Sequence, residues 1–421
     1  MELTAARILR TYVTLTLLST FASSLIWGIN TLFLLDAGLS VAGAFAANAF
    51  FTVGQVLFEV PTGVVADTMG RRASYLLGSA TLFAATLLYL WMWGVEGPFW
   101  GWALSSILLG LGFTFFSGAT QAWLVDGLAA TGYRGPLEAA FAKGQRAEGA
   151  GMLTGTIAGG VIAQLTTLGV PYAVRAGALL VTFVVAFVSM REVGFQPRRG
   201  ASVVVEVREV LRASMTHGFG NPPVRWLMLA GFLNGGVPIF AFYALQPYLL
   251  ALSGRQGSYA IAGLAAALFA GAQIAGASLV PLVARRFARR TSALVFASAL
   301  TAACLAAIGA FRSFWVSVAT LAVWALAWAA IQPVRQAFLN GCVPSAQRAT
   351  VLSFDNLFAS AGGAVAQPGL GRIADVWGYP ASYVVSAGVE LLSVPLLLLA
   401  RRARAPADAA GSDPAGEVQA Q

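Results

Sequence analysis

Twelve stretches of this chain are each long and apolar enough to cross a lipid bilayer, and this restricts every other inference. A membrane-crossing helix needs about 20 mostly apolar residues. Apolar runs between charged or Gly/Pro breaks fall near 11–35, 41–66, 73–94, 99–124, 146–168, 172–190, 225–250, 259–284, 291–311, 314–340, 350–374 and 379–400. The hydrocarbon layer offers no water to pair with the backbone, so each run is expected to be helical. Composition agrees, at 58% hydrophobic and only 10% charged; a soluble domain carries about a quarter charged residues. The fold class expected is all-α integral membrane. The first run follows Arg7 and Arg10 but is too long for a signal peptide, and is read as a retained helix.

The net charge is +9, and of 26 basic residues only Lys143 is a lysine. In a soluble chain this excess would suggest nucleic acid. Here the arginines punctuate apolar runs, so topology explains them and no nucleic-acid partner is expected. Cys304, Cys342 and the single histidine, His217, are too sparse for a disulfide framework or a metal site. No nucleophile–base set or phosphate loop is visible, so the chain is not read as an enzyme and no cofactor is expected.

The positive-inside rule orients the helices. With the N-terminus in the cytoplasm, 22 of the 26 basic residues fall on the inner side, leaving Arg175, Arg255, Arg312 and Arg372 outside. One missed helix would scramble that bias. The expectation is a multi-pass protein of the cell membrane with both termini cytoplasmic.

The spans form two similar halves. At an offset of 218, Gln55 falls on Gln273 and Arg71–Arg72 on Arg289–Arg290; at 215, QAWL (121–124) falls on QAFL (336–339). Duplicated six-helix halves are characteristic of transporters, because two similar bundles can rock about a central site. The expected organisation is a bundle over 1–191, a linker over 192–224, a second bundle over 225–404 and a disordered tail over 405–421. In the linker, SVVVEVREVLRASM has the spacing of an amphipathic helix.

The loop after the second run reads G-V-V-A-D-T-M-G-R-R, Gly63 to Arg72. It resembles the signature loop of the major facilitator superfamily, G-x-x-x-D-x-x-G-R-[K/R]. The second half carries P-L-V-A-R-R-F-A-R-R at the corresponding place, with Arg285 where the acid stood. On the residues alone, Gly63 would let a neighbouring helix approach. Gly70 would allow a tight turn, and Asp67 would accept from Arg71, Arg72 or a helix start. The resemblance implies two pseudo-symmetric six-helix bundles. It also implies a gate in which this loop docks near Asp355, with a relay to Asp126.

Span five reads G-M-L-T-G-T-I-A-G-G, in which Gly151, Gly155, Gly159 and Gly160 match the glycines of a motif found in the superfamily's antiporters. Thr156 replaces that motif's proline, and Ser106 stands where the antiporter branch tends to carry an arginine. The resemblance is closest to the twelve-helix drug:proton antiporter-like branch. Spacing of small residues at i and i+4 also serves plain helix packing.

Ionisable groups inside a membrane are costly and therefore functional candidates. Glu59 is the first proton-coupling candidate and Asp126 the second. Glu390 is the other acid within a span, but span twelve is usually peripheral in the superfamily, so a structural or lipid-facing role stays open beside transport. The family's path-lining spans place Asn30, Gln55, Gln121, Gln164, Asn234, Gln273, Trp324, Trp328 and Gln332 as cavity candidates. The expected function is alternating-access secondary transport by a monomer, exporting small amphipathic or drug-like compounds against a proton gradient. Metabolite import and lipid or glycolipid flipping are the alternatives.

Overall fold

The structure is a computed structural model and describes residues 4–116, 119–195, 208, 212, 214–254, 257–343 and 348–409. The expected amphipathic linker helix falls largely outside the described residues. Among those described, nine helical segments are long and apolar enough to cross a membrane. One of them, Val351–Arg402, is two spans joined at Gly378. The remaining two spans are the broken helix that opens the chain and the helix Leu137–Leu165, whose first turns carry charge. The architecture is twelve transmembrane helices in two pseudo-symmetric six-helix bundles.

In chain order the helices are α1 (Ala5–Ser24), α2 (Asn30–Asp36), α3 (Val41–Met69), α4 (Arg71–Gly94), α5 (Phe99–Thr114), α6 (Ala119–Ala130), α7 (Leu137–Leu165) and α8 (Gly169–Ser189). They continue as α9 (Pro222–Asn234), α10 (Val237–Ser253), α11 (Tyr259–Ala277), α12 (Val280–Arg286), α13 (Arg290–Phe311), α14 (Phe314–Cys342) and α15 (Arg348–Arg402). Helix α15 has arms 348–377 and 379–402, because Gly378 sits at φ +83° and breaks the helical path. Span one is α1 with α2, and span seven is α9 with α10, so the first span of each half is interrupted midway.

The chain separates into two compact units: Met1–Glu206 with Arg255–Ala267, and Val207–Gly254 with Leu268–Gln421. The start of α11 thus groups with the first unit, unlike the sequence-based boundary. Small residues explain this, because a Cβ built on Gly160 would stand 2.8 Å from Gly263 Cα. Within the first unit α1 packs on α7, α3 on α5 and α4 on α8. Within the second, α9, α10 and α13 pack on α15, and α13 also on α14.

Both units tie their last span to their first with a tyrosine. Tyr172 Oη donates to Asn30 Oδ1 at 2.8 Å, and Tyr383 Oη donates to the Ala241 carbonyl at 2.7 Å. The two partners are separated by 142 residues in each case. In the first unit this bond lies among stacked rings, with Phe33 and Tyr172 centroids 4.0 Å apart. Burying such rings supplies apolar area, while each polar edge finds a partner.

The tail departs from the expectation of disorder at its start. Residues 405–409 fold back: Pro406–Asp408 forms a short 3₁₀ turn, and Ala407 joins a buried cluster with Leu294, Phe338 and Val343. Composition alone predicted no core there, but the tail borrows one from α13 and α14.

Candidate functional site

The signature loop resolves into a one-residue hinge. Helix α3 ends at Met69, α4 begins at Arg71, and Gly70 between them adopts φ +104°, a value side chains rarely tolerate. A Cβ at Gly70 would also meet Glu192 Oε2 at 2.5 Å. Arg71 Nη1 donates to Asp67 Oδ1 at 2.5 Å. Arg72 donates its side chain to the Phe187 carbonyl and its backbone N–H to Glu192 Oε2, both at 2.8 Å. The loop charges are therefore engaged inside their own unit. Gly63 corrects the expectation placed on it, since nothing lies within 4 Å of a Cβ built there. Asp126, on α6, is half-buried, and the linker passes close to its backbone at Gly194.

Gly151, Gly155 and Gly159 lie on one face of α7, where built Cβ atoms would strike the Leu17, Phe21 and Leu25 carbonyls of span one. This is close helix packing of the small-residue kind. Ser106, at the position where an arginine was expected from the resemblance, lies 2.5 Å from Tyr89 Oη. Arg175, counted as an outer loop charge, is instead 1% exposed within α8.

The cavity candidates divide. Asn30 is enclosed by Asn48 and Tyr172, donating to Asn48 Oδ1 at 2.9 Å. Gln121 and Gln164 are exposed, and Gln55 and Gln273 half-buried. Trp324 is buried against Phe269, with centroids 5.4 Å apart. Glu59 is half-buried in α3. Asn234, Trp328 and Gln332, by contrast, converge on one cavity of about 310 Å³ inside the second unit.

Local structure explains that convergence. Span seven is interrupted after Asn234 at Gly235 and Gly236, which lie against α15 with no room for side chains; a Cβ at Gly236 would lie 2.9 Å from Gly363 Cα. Interrupted membrane helices expose backbone groups where a ligand can use them. On α14, Trp328, Ile331, Gln332 and Arg335 follow helical spacing and line the same wall. Pro333 interrupts that helix's hydrogen bonding beside them. Leu294 and Ser298 of α13, and Asn356 and Glu390 of α15, complete the lining.

Two charged features govern the cavity. Arg335 forms a bidentate pair with Asp355, at 2.6 and 2.8 Å, and the Asp355 side chain is 2% exposed. Such fork geometry is the strong form of an ion pair. Glu390 is 4% exposed and accepts from Asn234 Nδ2 at 3.0 Å. No basic side chain is within ion-pair distance of it among the described residues. Span twelve keeps an exposed apolar face at Leu391 and Leu392, but Glu390 itself points into the unit, so the lipid-facing role does not fit it. Arg335, read from sequence as a topology charge, belongs to the cavity wall. Its helical spacing from Trp328 was the signal available in the sequence. No group of three or more metal-ligating side chains occurs among the described residues.

Comparison with known proteins places this architecture. A family profile described as Major Facilitator Superfamily matches residues 12–257 and 239–419. No curated protein matches. Among solved structures, the nucleoside transporter NupG is similar with a TM-score of 0.72 at 13% identity, over 94% of this chain and 99% of that one. The POT family transporter PepTSo gives 0.71 at 11%, over 94% and 98%. A D-xylose–proton symporter gives 0.67 at 14%, over 93% and 96%. At such identities the structures attest the fold alone, while the profile spans nearly the whole sequence. The chain belongs to the Major Facilitator Superfamily and is a multi-pass membrane transporter.

Proposed function

We propose that this transporter works by alternating access, exchanging protons for small amphipathic compounds that it exports from the cell. The observation that carries the substrate class is the second-unit cavity: an apolar and aromatic wall from Leu294, Ile331 and Trp328, with Asn234, Gln332 and Glu390 among its polar groups. A mostly apolar site with a few convergent polar groups suits an amphipathic molecule. Export is supported by the span-five glycines that resemble the antiporter motif. Proton coupling is supported by acids held within spans, the half-buried Glu59 and the buried Glu390, because ionisable groups at such positions are costly and mark proton and substrate paths.

Everted membrane vesicles carrying the protein should accumulate a panel of amphipathic dyes and amines, and a protonophore should abolish accumulation. Accumulation that survives the protonophore would exclude proton coupling. The second reading is uptake of a polar metabolite. It is favoured by the Arg335–Asp355 pair on the cavity wall and by the nucleoside, peptide and xylose carriers that share the fold. Inward flux in intact cells selects it.

A further inference from the structure

The second-unit cavity is lined by α9, α10, α13, α14 and both arms of α15, so spans nine and twelve contribute to it as well as seven, ten and eleven. Spans nine and twelve are not among those expected to line the central path. The cavity is lined by residues of one unit only and carries its own charge balance. Arg335 and Asp355 cancel in their bidentate pair. Glu390, when ionised, then leaves one negative charge with no basic partner among the described residues. A carboxylate buried in the membrane interior is costly until a proton or an organic cation joins it, so the two compete for the same group.

A second, independent feature points to the kind of cation. Asn234 donates Nδ2 to Glu390 Oε1 at 3.0 Å, and this bond orients its amide. Its Oδ1 is buried with no hydrogen-bond partner among the described residues. An unpaired buried acceptor is expensive, and such groups in native structures call for a partner. The carboxylate and the neighbouring amide oxygen together present acceptors to the cavity, and the Ser298 hydroxyl beside them already bonds Glu390. Trp328 and Ile331 supply an apolar and aromatic wall, and an aromatic face also favours a cation. A volume of about 310 Å³ is at the small end of ligand pockets.

We propose that this cavity binds a small organic monocation bearing N–H donors on an apolar body, such as an ammonium, amidinium or guanidinium compound. The charged group meets Glu390 and Asn234 Oδ1, and the body lies against Trp328 and Ile331. The inference deepens the amphipathic-substrate reading and rests on it only in calling the ligand a substrate.

The test is equilibrium binding of labelled benzamidinium to the purified full-length protein in uncharged detergent. Benzamide, its uncharged near-isostere, and trimethylanilinium, a cation without N–H groups, serve as competitors. The wild type should bind benzamidinium at least tenfold more tightly than either competitor. Glu390→Gln should lose at least tenfold, and Asn234→Leu should narrow the preference for benzamidinium over trimethylanilinium. Equal affinity for benzamide on the wild-type protein overturns the proposal without relying on any variant. Unchanged binding in folded Glu390→Gln overturns it too. Should benzamidinium bind as expected while vesicles fail to move it, the transport reading of the cavity fails and the binding site stands.

Discussion

Asp408 Oδ1 accepts the backbone N–H of Thr291 at 2.8 Å, and its Oδ2 accepts the Thr291 hydroxyl at 2.9 Å. Thr291 is the second residue of α13, so a carboxylate from beyond the last span caps the start of span nine. The first unit does the same: Glu192, just after α8, accepts the N–H of Arg72, the second residue of α4. Helix starts leave N–H groups without intrahelical partners, and an anion there is favoured by the helix dipole. The second-half loop has lost its acid, yet its inner end is still closed by one, brought from the tail. Arg290 adds a 2.6 Å bond to the Ala407 carbonyl.

The cap makes the first prediction. Losing a capping side chain costs about 0.5–2 kcal/mol, and here the tail's packing goes with it. Truncation after Arg404 should lower the thermal unfolding midpoint in detergent, and Asp408→Ala should reproduce most of the drop. Truncation after Ala409 should leave it unchanged. A chain ending at Arg404 that is as stable as the full chain would contradict the cap.

The Arg335–Asp355 pair makes the second. Removing one partner strands a buried charge, at about 3–5 kcal/mol. Arg335→Ala and Asp355→Ala should each sharply reduce folded yield and unfolding temperature. The double variant Arg335→Leu with Asp355→Leu should recover much of the loss. Equal damage from double and single variants would show that the two side chains do not act as a pair.

The glycines separate packing from open surface. A Cβ at Gly159 collides with the Leu25 backbone, which cannot yield as a flexible side chain can. Overpacking typically costs about 1–3 kcal/mol, so Gly159→Ala should destabilise the protein measurably in a thermal unfolding series. Gly63→Ala, placed in open space, should be neutral or slightly stabilising. A reversed order would show that α7 does not pack on span one through these glycines.

Much of the fold was legible because its rule is local. A span announces itself by twenty apolar residues, and the loop charges follow. The duplicated halves were legible from offsets such as Arg71–Arg72 on Arg289–Arg290. The cavity was half legible: Asn234, Trp328 and Gln332 were singled out as polar or aromatic residues within spans. Their convergence with Glu390 was not, because Asn234 and Glu390 stand 156 residues apart. Nothing local tells which way span twelve faces. Arg335 was taken for a topology charge because it lies near a span's end. Its pairing with Asp355 depends on how α14 and α15 turn toward each other. The ordered start of the tail was hidden for the same reason, since its core comes from other helices.

The central claim is exchange of an organic cation for protons. The purified protein should be reconstituted in liposomes that contain benzamidinium and a trapped pH indicator, in a medium lacking the cation. Efflux of benzamidinium down its gradient should acidify the lumen faster than in protein-free liposomes, as protons enter in exchange, and the Glu390→Gln protein should not add to the protein-free rate. A lumen that acidifies no faster with wild-type protein than without it, or that turns alkaline, would contradict the account.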